Sequence, residues 1–196
     1  MLNIHCMPLG LYQTNCYIVH RENDPHCIVI DPGYEAGTIE DYLRDNGLIL
    51  DAITLTHGHF DHVGAVRQLA ADTDCEVYLS LADLSMPPQL TAGPLYYTKT
   101  YEEGRQLQIA GIPILVIPTP GHTPGSVCLM MEDNLFSGDT LFAGSCGRTD
   151  LPGGSCSQIM ASLRELSELR EDLKVYPGHG ESTTLADEKR YNPYMK

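Results

Sequence analysis

Apolar and polar positions along the chain change period repeatedly, and each change marks a predicted element. Apolar runs at 15–19 and 27–30, rich in Cys, Ile and Val and separated by the polar turn 21–25, predict two buried strands. Ile39, Tyr42 and Leu43 set the inward face of a short helix over 38–45, stopped by Asn46-Gly47. A strand is predicted over 51–56, then a helix over 63–70 with Val63, Val66, Leu69 and Ala70 on one face, then a strand over 76–79. The rhythm breaks over 84–104, a stretch holding Pro87-Pro88, Gly93-Pro94 and the aromatic set Tyr96, Tyr97 and Tyr101. Long irregular segments in compact domains commonly serve as lids or binding loops, so this one is either a substrate-facing flap, with Lys99 or Arg105 available for substrate, or an inert insertion. Strand character resumes at 107–109 and 112–117, and 127–131 with 135–137 predict a hairpin around Glu132-Asp133-Asn134. After a Gly-rich loop at 144–154, Ile159, Leu163 and Leu166 mark a helix over 158–169, and 174–176 reads as a last strand.

Strands alternating with helices predict a layered α/β fold. The chain has 196 residues, which suits one compact domain, and it shows no internal repeat or linker-like tract. Composition changes the picture mainly by exclusion. Twenty-six Asp and Glu against 12 Lys and Arg give a net charge of −14, which removes the basic footprint that nucleic-acid and anionic-membrane surfaces require. The first six residues lack a basic segment leading into an apolar core, and no apolar run approaches a membrane span. The seven cysteines form no C-x-x-C pair, which predicts reduced thiols and a cytoplasmic location; Cys16, Cys27 and Cys128 lie in strand-like runs as core residues.

The chemistry concentrates in Thr56-His57-Gly58-His59-Phe60-Asp61-His62, between a predicted strand and a predicted helix. A lone histidine is ordinarily a solvated or hydrogen-bonded side chain. Three imidazoles and a carboxylate in one tight loop gain little in packing and repel one another once protonated, so the cluster points to a metal site. Gly121-His122, Gly138-Asp139 and Gly178-His179 likewise sit just past predicted strand ends, where loops converge at one rim of a layered fold. The expected constellation is His57, His59, Asp61, His62, His122, Asp139 and His179.

The T-H-G-H-F-D-H loop, P-G-H-T-P-G-S, S-G-D-T-L-F and Y-P-G-H-G, in this order, resemble the metallo-β-lactamase-fold hydrolase superfamily along essentially the whole chain. The nearest branch is the small, single-domain glyoxalase II-like group. The resemblance implies an αββα sandwich, two mixed sheets flanked by helices, spanning 1–196 without the C-terminal helical domain that holds glutathione in full-length glyoxalase II. It implies two divalent ions, zinc first with iron or manganese as alternatives. His57, His59 and His122 would take one, Asp61, His62 and His179 the other, with Asp139 bridging. A metal-bridging hydroxide would be the nucleophile, oriented by Asp61, in hydrolysis of a thioester or related acyl compound such as S-lactoylglutathione. A small-molecule substrate and a monomer or homodimer are expected, with no nucleic-acid or membrane partner.

Other matching positions have supporting roles. Asp31 in Asp31-Pro32-Gly33 either orients an imidazole or merely closes a turn. Arg148 and Asp150 in Gly147-Arg148-Thr149-Asp150 are expected to brace the metal loop as a pair, with substrate contact as the lesser role. His5, His20 and His26 fall outside every motif and are expected at the surface. Persulfide dioxygenases share the fold and a segment like G-S-C-G-R-T-D, including Cys146. By that resemblance the alternative is a single iron on His57, His122 and Asp139. A β-lactamase is disfavoured, since zinc enzymes of that type commonly carry cysteine where Asp139 stands.

Overall fold

The computed structural model describes residues 1–101 and 106–196, so Glu102, Glu103 and Gly104 of the expected flap, and Arg105 beside it, lie outside the described residues. One sheet contains β1 (Leu2–Leu9), β2 (Thr14–Arg21), β3 (His26–Ile30), β4 (Ile49–Thr54), β5 (Glu76–Leu79) and β6 (Lys99–Thr100), hydrogen-bonded in that order. Its first three strands are antiparallel and the rest pair in parallel, through α1 (Ala36–Asp45) and through α2 (Phe60–Val63) with α3 (Val66–Thr73). After α4 (Pro88–Thr91), the chain enters a second sheet with β7 (Gln106–Ile109), β8 (Ile112–Pro118), β9 (Val127–Met131) and β10 (Asn134–Gly138). A small hairpin of β11 (Leu141–Phe142) and β12 (Ser145–Cys146) precedes α5 (Cys156–Ser167). The chain returns through β13 (Lys174–Pro177) and β14 (Thr183–Thr184) to α6 (Leu185–Tyr191), giving the sheet order β14-β13-β10-β9-β8-β7. Both sheets are mixed, since β10 and β13 run parallel.

Three apolar layers explain why the strands read as continuous hydrophobic runs rather than as alternations. Cys16, Ile18 and Val29 face α1 and α3, whose Ile39, Leu43, Val66 and Leu69 close the first layer. Tyr17, Val19, Ile28 and Ile30 point the other way, meeting Ile112, Ile114, Leu129 and Phe136 between the sheets. Cys128, Leu135 and Val175 leave the second sheet towards Ile159, Leu163 and Leu166 of α5 and Leu185 of α6. The helix–sheet–sheet–helix sandwich expected from the resemblance is the observed architecture. Cys16, Cys27 and Cys128 are fully buried in it, as their positions predicted.

Two elements depart from the pattern reading. The edge strand β1 buries only Leu9 fully, so its run of half-exposed positions gave a weak signal. The helix expected over 63–70 is two pieces. At the break, the Ala65 N–H donates to Pro32 O instead of continuing the helical ladder, because the Asp31-Pro32-Gly33 turn presses against it. That approach is close: a Cβ on Gly33 would sit 1.7 Å from the carbonyl oxygen of Asp61. The turn thereby seats the ligand-type loop against the end of β3.

Hydrogen bonds between the sheets cluster at the rim where these loops converge. Asn15 N–H donates to Gly178 O at 2.8 Å, Val127 N–H to Thr56 O at 2.9 Å, and Tyr17 Oη to Pro177 O at 2.6 Å. Loops from both sheets are therefore fixed relative to one another before any side chain is considered.

Candidate metal centre

Each candidate residue stands on a rigid element end. His57 and His59 follow β4, Asp61 and His62 lie in the single turn of α2, His122 is in the β8–β9 connection, Asp139 follows β10, and His179 follows β13. Although they come from four separate segments, all seven meet in one cluster. Ligand-type atoms of His57, His59 and His122 lie within 4.8 Å of one another, as do those of Asp61, His62 and His179. Asp139 reaches both groups, with Oδ2 3.5 Å from both His122 Nε2 and His179 Nε2, and Oδ1 3.5 Å from His62 Nε2. Only glycine fits behind it at position 178, where a Cβ would fall 2.2 Å from Asp139 Oδ1.

The rings are held from behind. Asp31 accepts Thr56 N–H at 2.8 Å and Thr56 Oγ1–H at 2.6 Å, and it takes His62 Nδ1 at 3.0 Å. It is thus an imidazole-orienting carboxylate as well as a turn former. With its own proton given to Asp31, Thr56 Oγ1 can only accept from His57 Nδ1, 3.1 Å away. His122 Nδ1 meets Arg148 O at 2.8 Å, and His179 Nδ1 meets Tyr12 O at 3.2 Å. Carbonyls and carboxylates at Nδ1 fix the proton there and leave the Nε2 lone pair facing inwards, the tautomer a metal needs.

Four buried atoms in the cluster have no hydrogen-bond partner: Nε2 of His57, His59 and His62, and Oδ1 of Asp139. Unsatisfied buried polar atoms cost free energy and are rare in folded proteins. Those of His57, His62 and Asp139 belong to the ligand-type cluster, to which His59 presents Nδ1, 2.8 Å from His122 Nε2, whose ring proton already serves Arg148 O. A cation satisfies such a donor set, so these residues fit metal ions. The set Asp31, His57 and His62 also has ligand spacing, but the Asp31 oxygens are committed to Thr56 and to His62 Nδ1.

Titration tendencies of the clustered side chains reflect the same crowding. Burial, then the neighbouring imidazoles His62, His122 and His59, pushes His57 far down; burial and His122 bring His59 down to about 4. Burial also opposes charge on His62, yet Asp139 and Asp31 overcome it and raise this residue to about 9. Burial pushes the Asp61 carboxyl up, but the hydrogen bond from His179 and the charges of His62 and His179 outweigh it and hold Asp61 well below the usual carboxylate range. Thr14 Oγ1 donates to the same carboxylate at 3.2 Å.

A cavity of about 480 Å³ opens on the cluster, floored by His59, Asp61, His122, Asp139 and His179 and walled by Tyr12, Phe60, Leu90, Phe142 and Leu151. A larger concavity of about 700 Å³, near Met1, His5 and Lys174, contains none of the seven. The aromatic flap expected over 84–104 is corrected here. Tyr96 lies under Arg67, with 5.3 Å from guanidinium to ring centroid, and Tyr101 Oη donates to Leu55 O at 3.1 Å. Lys99 pairs with Glu76 at 3.4 Å, and Leu90 alone represents the segment's described residues in the cavity wall. Tyr96 and Tyr101 pack against the apolar layers beneath them, and Tyr97 is exposed. Arg148 and Asp150 do pair, through Nε and Nη2 at 2.7 Å each, but in solvent; the site itself is braced by the Arg148 carbonyl. His5 and His26 are exposed and His20 half-buried.

Pattern reading missed Asp83. Fully buried in a 3-10 turn over Leu81–Ser85, it accepts from Gly58 N at 2.7 Å, Gly125 N at 2.6 Å and Thr123 Oγ1 at 3.1 Å, tying the His57–His59 loop to the His122 loop. An isolated acid in an irregular stretch carries no local signal. Tyr12, Phe60 and Phe142 were equally silent.

Residues 9–179 match the profile of the metallo-beta-lactamase superfamily, and the chain belongs to that family. The hydroxyacylglutathione hydrolase GloC of Haemophilus influenzae is 33% identical over 99% of this chain and 98% of its own. Among solved structures, the B3 metallo-beta-lactamase BLEG-1 superposes with a TM-score of 0.90 at 35% identity, covering 100% of both chains. The protein TTHA1623, solved in a di-iron-bound form, has a TM-score of 0.85 at 39% identity over 97% of this chain and 99% of its own. The class is thus that of the metallo-hydrolases. Among the described residues no helix is long and apolar enough to cross a membrane.

Proposed function

We propose that the chain is a binuclear metal-dependent hydrolase of thioesters or related acyl compounds. The observation that carries this is the convergence of buried, partnerless Nε2 and carboxylate atoms beneath an open cavity. His57, His59 and His122 would hold one divalent ion and Asp61, His62 and His179 the other, with Asp139 shared between them. Zinc is the first choice; the di-iron form of TTHA1623 supports iron as an alternative occupant. Two such ions supply the Lewis acidity that polarises an acyl carbonyl and acidifies a water.

The protein's own contribution is placement and proton handling. Asp61 sits at the cavity floor, ionised, with Thr14 Oγ1 donating to its carboxylate. It accepts a proton from the attacking water and returns it to the departing thiolate. A C–O bond forms at the acyl carbon as the C–S bond breaks, giving a carboxylate and a thiol. Glutathione thioesters are the prototype, supported by the name of the GloC relative. The alternative, a mononuclear iron dioxygenase of the same fold, would use His57, His122 and Asp139 alone.

The test is metal content of protein purified without added metal, paired with S-lactoylglutathione and S-hexanoyl-N-acetylcysteamine hydrolysis and a β-lactam control. About two metals per chain and thioester turnover are expected. Turnover of the β-lactam alone refutes the substrate class. One iron per chain, no hydrolysis, and oxygen uptake on glutathione persulfide refutes the hydrolase.

A further inference from the structure

We infer that the cavity selects thioesters flanked by uncharged, apolar groups, and that the Arg148–Asp150 pair turns away anionic thiol carriers. The inference rests on the hydrolase reading above and concerns the walls of the cavity rather than its floor.

The walls are aromatic and aliphatic. Tyr12 and Phe60 meet edge to face, 5.3 Å between centroids, on one side. Phe142 stands across from them, against the His179 ring at 6.3 Å. Leu90 and Leu151 extend the apolar surface, with Ser145, Cys146 and Arg148 beside them. The Phe142 wall is preformed, since a buried polar network fixes the hairpin that presents it. Glu188 Oε2 accepts from Gly144 N at 2.8 Å, and Asn192 Nδ2 donates to Ser145 O at 2.9 Å and to Glu188 Oε2 at 2.8 Å. Glu188 is 4% exposed and Asn192 fully buried. A fixed apolar surface gives affinity in proportion to the apolar area it covers, with little ordering cost.

The charges point the same way. Among the described residues lining the cavity, Arg148 is the one arginine or lysine. Both of its contacting nitrogens are taken by Asp150 in a two-point pair of 2.7 Å bonds. A guanidinium already paired with a carboxylate offers a ligand carboxylate less than a free one does, and the chain carries a net −14 around it. The tripeptide of a glutathione thioester brings two carboxylates that meet no unpaired arginine or lysine among the described residues of the walls. An N-acetylcysteamine thioester brings none.

The experiment compares zinc-loaded protein on four substrates: hexanoyl and lactoyl thioesters of N-acetylcysteamine and of glutathione. The hexanoyl N-acetylcysteamine thioester is expected to have the highest kcat/KM, with a loss of about tenfold for each change to lactoyl or to glutathione. Asp150→Asn, a solvent-exposed change, frees Arg148 and is expected to shift the carrier preference towards glutathione by fivefold or more, through KM. Equal or better use of glutathione by the unaltered protein overturns the inference while leaving the hydrolase intact, as does an unmoved carrier ratio in Asp150→Asn. If no thioester is hydrolysed, the hydrolase reading fails by itself. The cavity is then read by calorimetric titration with S-hexyl-N-acetylcysteamine and S-hexylglutathione. Tighter binding of the former supports the inference, and equal or weaker binding overturns it.

Discussion

Asp83→Asn tests how the two histidine-bearing loops are held together. The carboxylate has both oxygens in use, Oδ1 with Gly125 N and Oδ2 with Gly58 N and Thr123 Oγ1. Burial raises its pKa, and the hydrogen bonds from Thr123, Gly125 and Gly58 resist that rise. Asparagine keeps the shape but replaces one acceptor with an NH₂ group. Whichever way the amide turns, a donor then faces a backbone N–H across 2.6 or 2.7 Å. One charge-assisted bond is lost, at about 1.5–3 kcal/mol, and an N–H is stranded, at about 1–3 kcal/mol, while relief of the buried charge offsets part of this. A net loss of about 3 kcal/mol lowers Tm by about 6–12 °C in a chain of this size. Because Gly58 separates His57 from His59 and Thr123 follows His122, zinc affinity should fall about tenfold as well, the usual scale for groups that hold ligands from behind. Thermal unfolding by circular dichroism and zinc competition against a chromophoric chelator measure the two effects. A Tm within a degree of the parent, together with unchanged zinc affinity, would refute the clamp.

Other substitutions and conditions probe the site separately. Asp61→Asn removes the proton acceptor and should lower thioester turnover by about 10²–10⁴-fold; stopped assays at saturating metal reading near-normal rates would remove Asp61 from the chemistry. Glu188→Gln strands part of the network under the Phe142 hairpin and should cost about 1–3 kcal/mol in urea unfolding, with KM rising more than kcat falls; an unchanged KM would show that the hairpin does not shape the cavity. The metal-free chain should be most stable near pH 6.5. His59, lowered to about 4, contributes stability that is present above its unfolded pKa and is lost as pH falls from 6.5 towards 4. His62, raised to about 9, contributes stability that is present below its unfolded pKa and is lost as pH rises from 6.5 towards 9. Each arm is about 3 kcal/mol deep. Urea unfolding of chelator-treated protein at pH 5, 6.5 and 8.5 measures both, and a flat profile would contradict the burial argument.

Local chemistry was legible wherever a local rule was strict. The H-x-H-x-D-H loop declared itself because imidazoles and a carboxylate at that density have no packing rationale. Continuous apolar runs such as 27–30 and 127–131 declared strands because both of their faces are buried. β1 did so poorly, since an edge strand buries little, and the 63–70 helix was misread as continuous because its break comes from a turn some thirty residues earlier.

The sequence by itself determined the ligand-type residues, the layered α/β class and the strand ends that carry the motifs. Periodicity and side-chain chemistry are properties of neighbours in the chain. Tertiary structure alone decided which residues wall the cavity and which hold the rings from behind. Tyr12, Phe60 and Phe142 became walls, and Tyr96 and Tyr101 did not, because the packing of two sheets gave the latter apolar partners elsewhere. Asp83 acquired its role from amides 25 and 42 positions away. Such roles depend on closing long loops around a common rim, which no window of adjacent residues encodes.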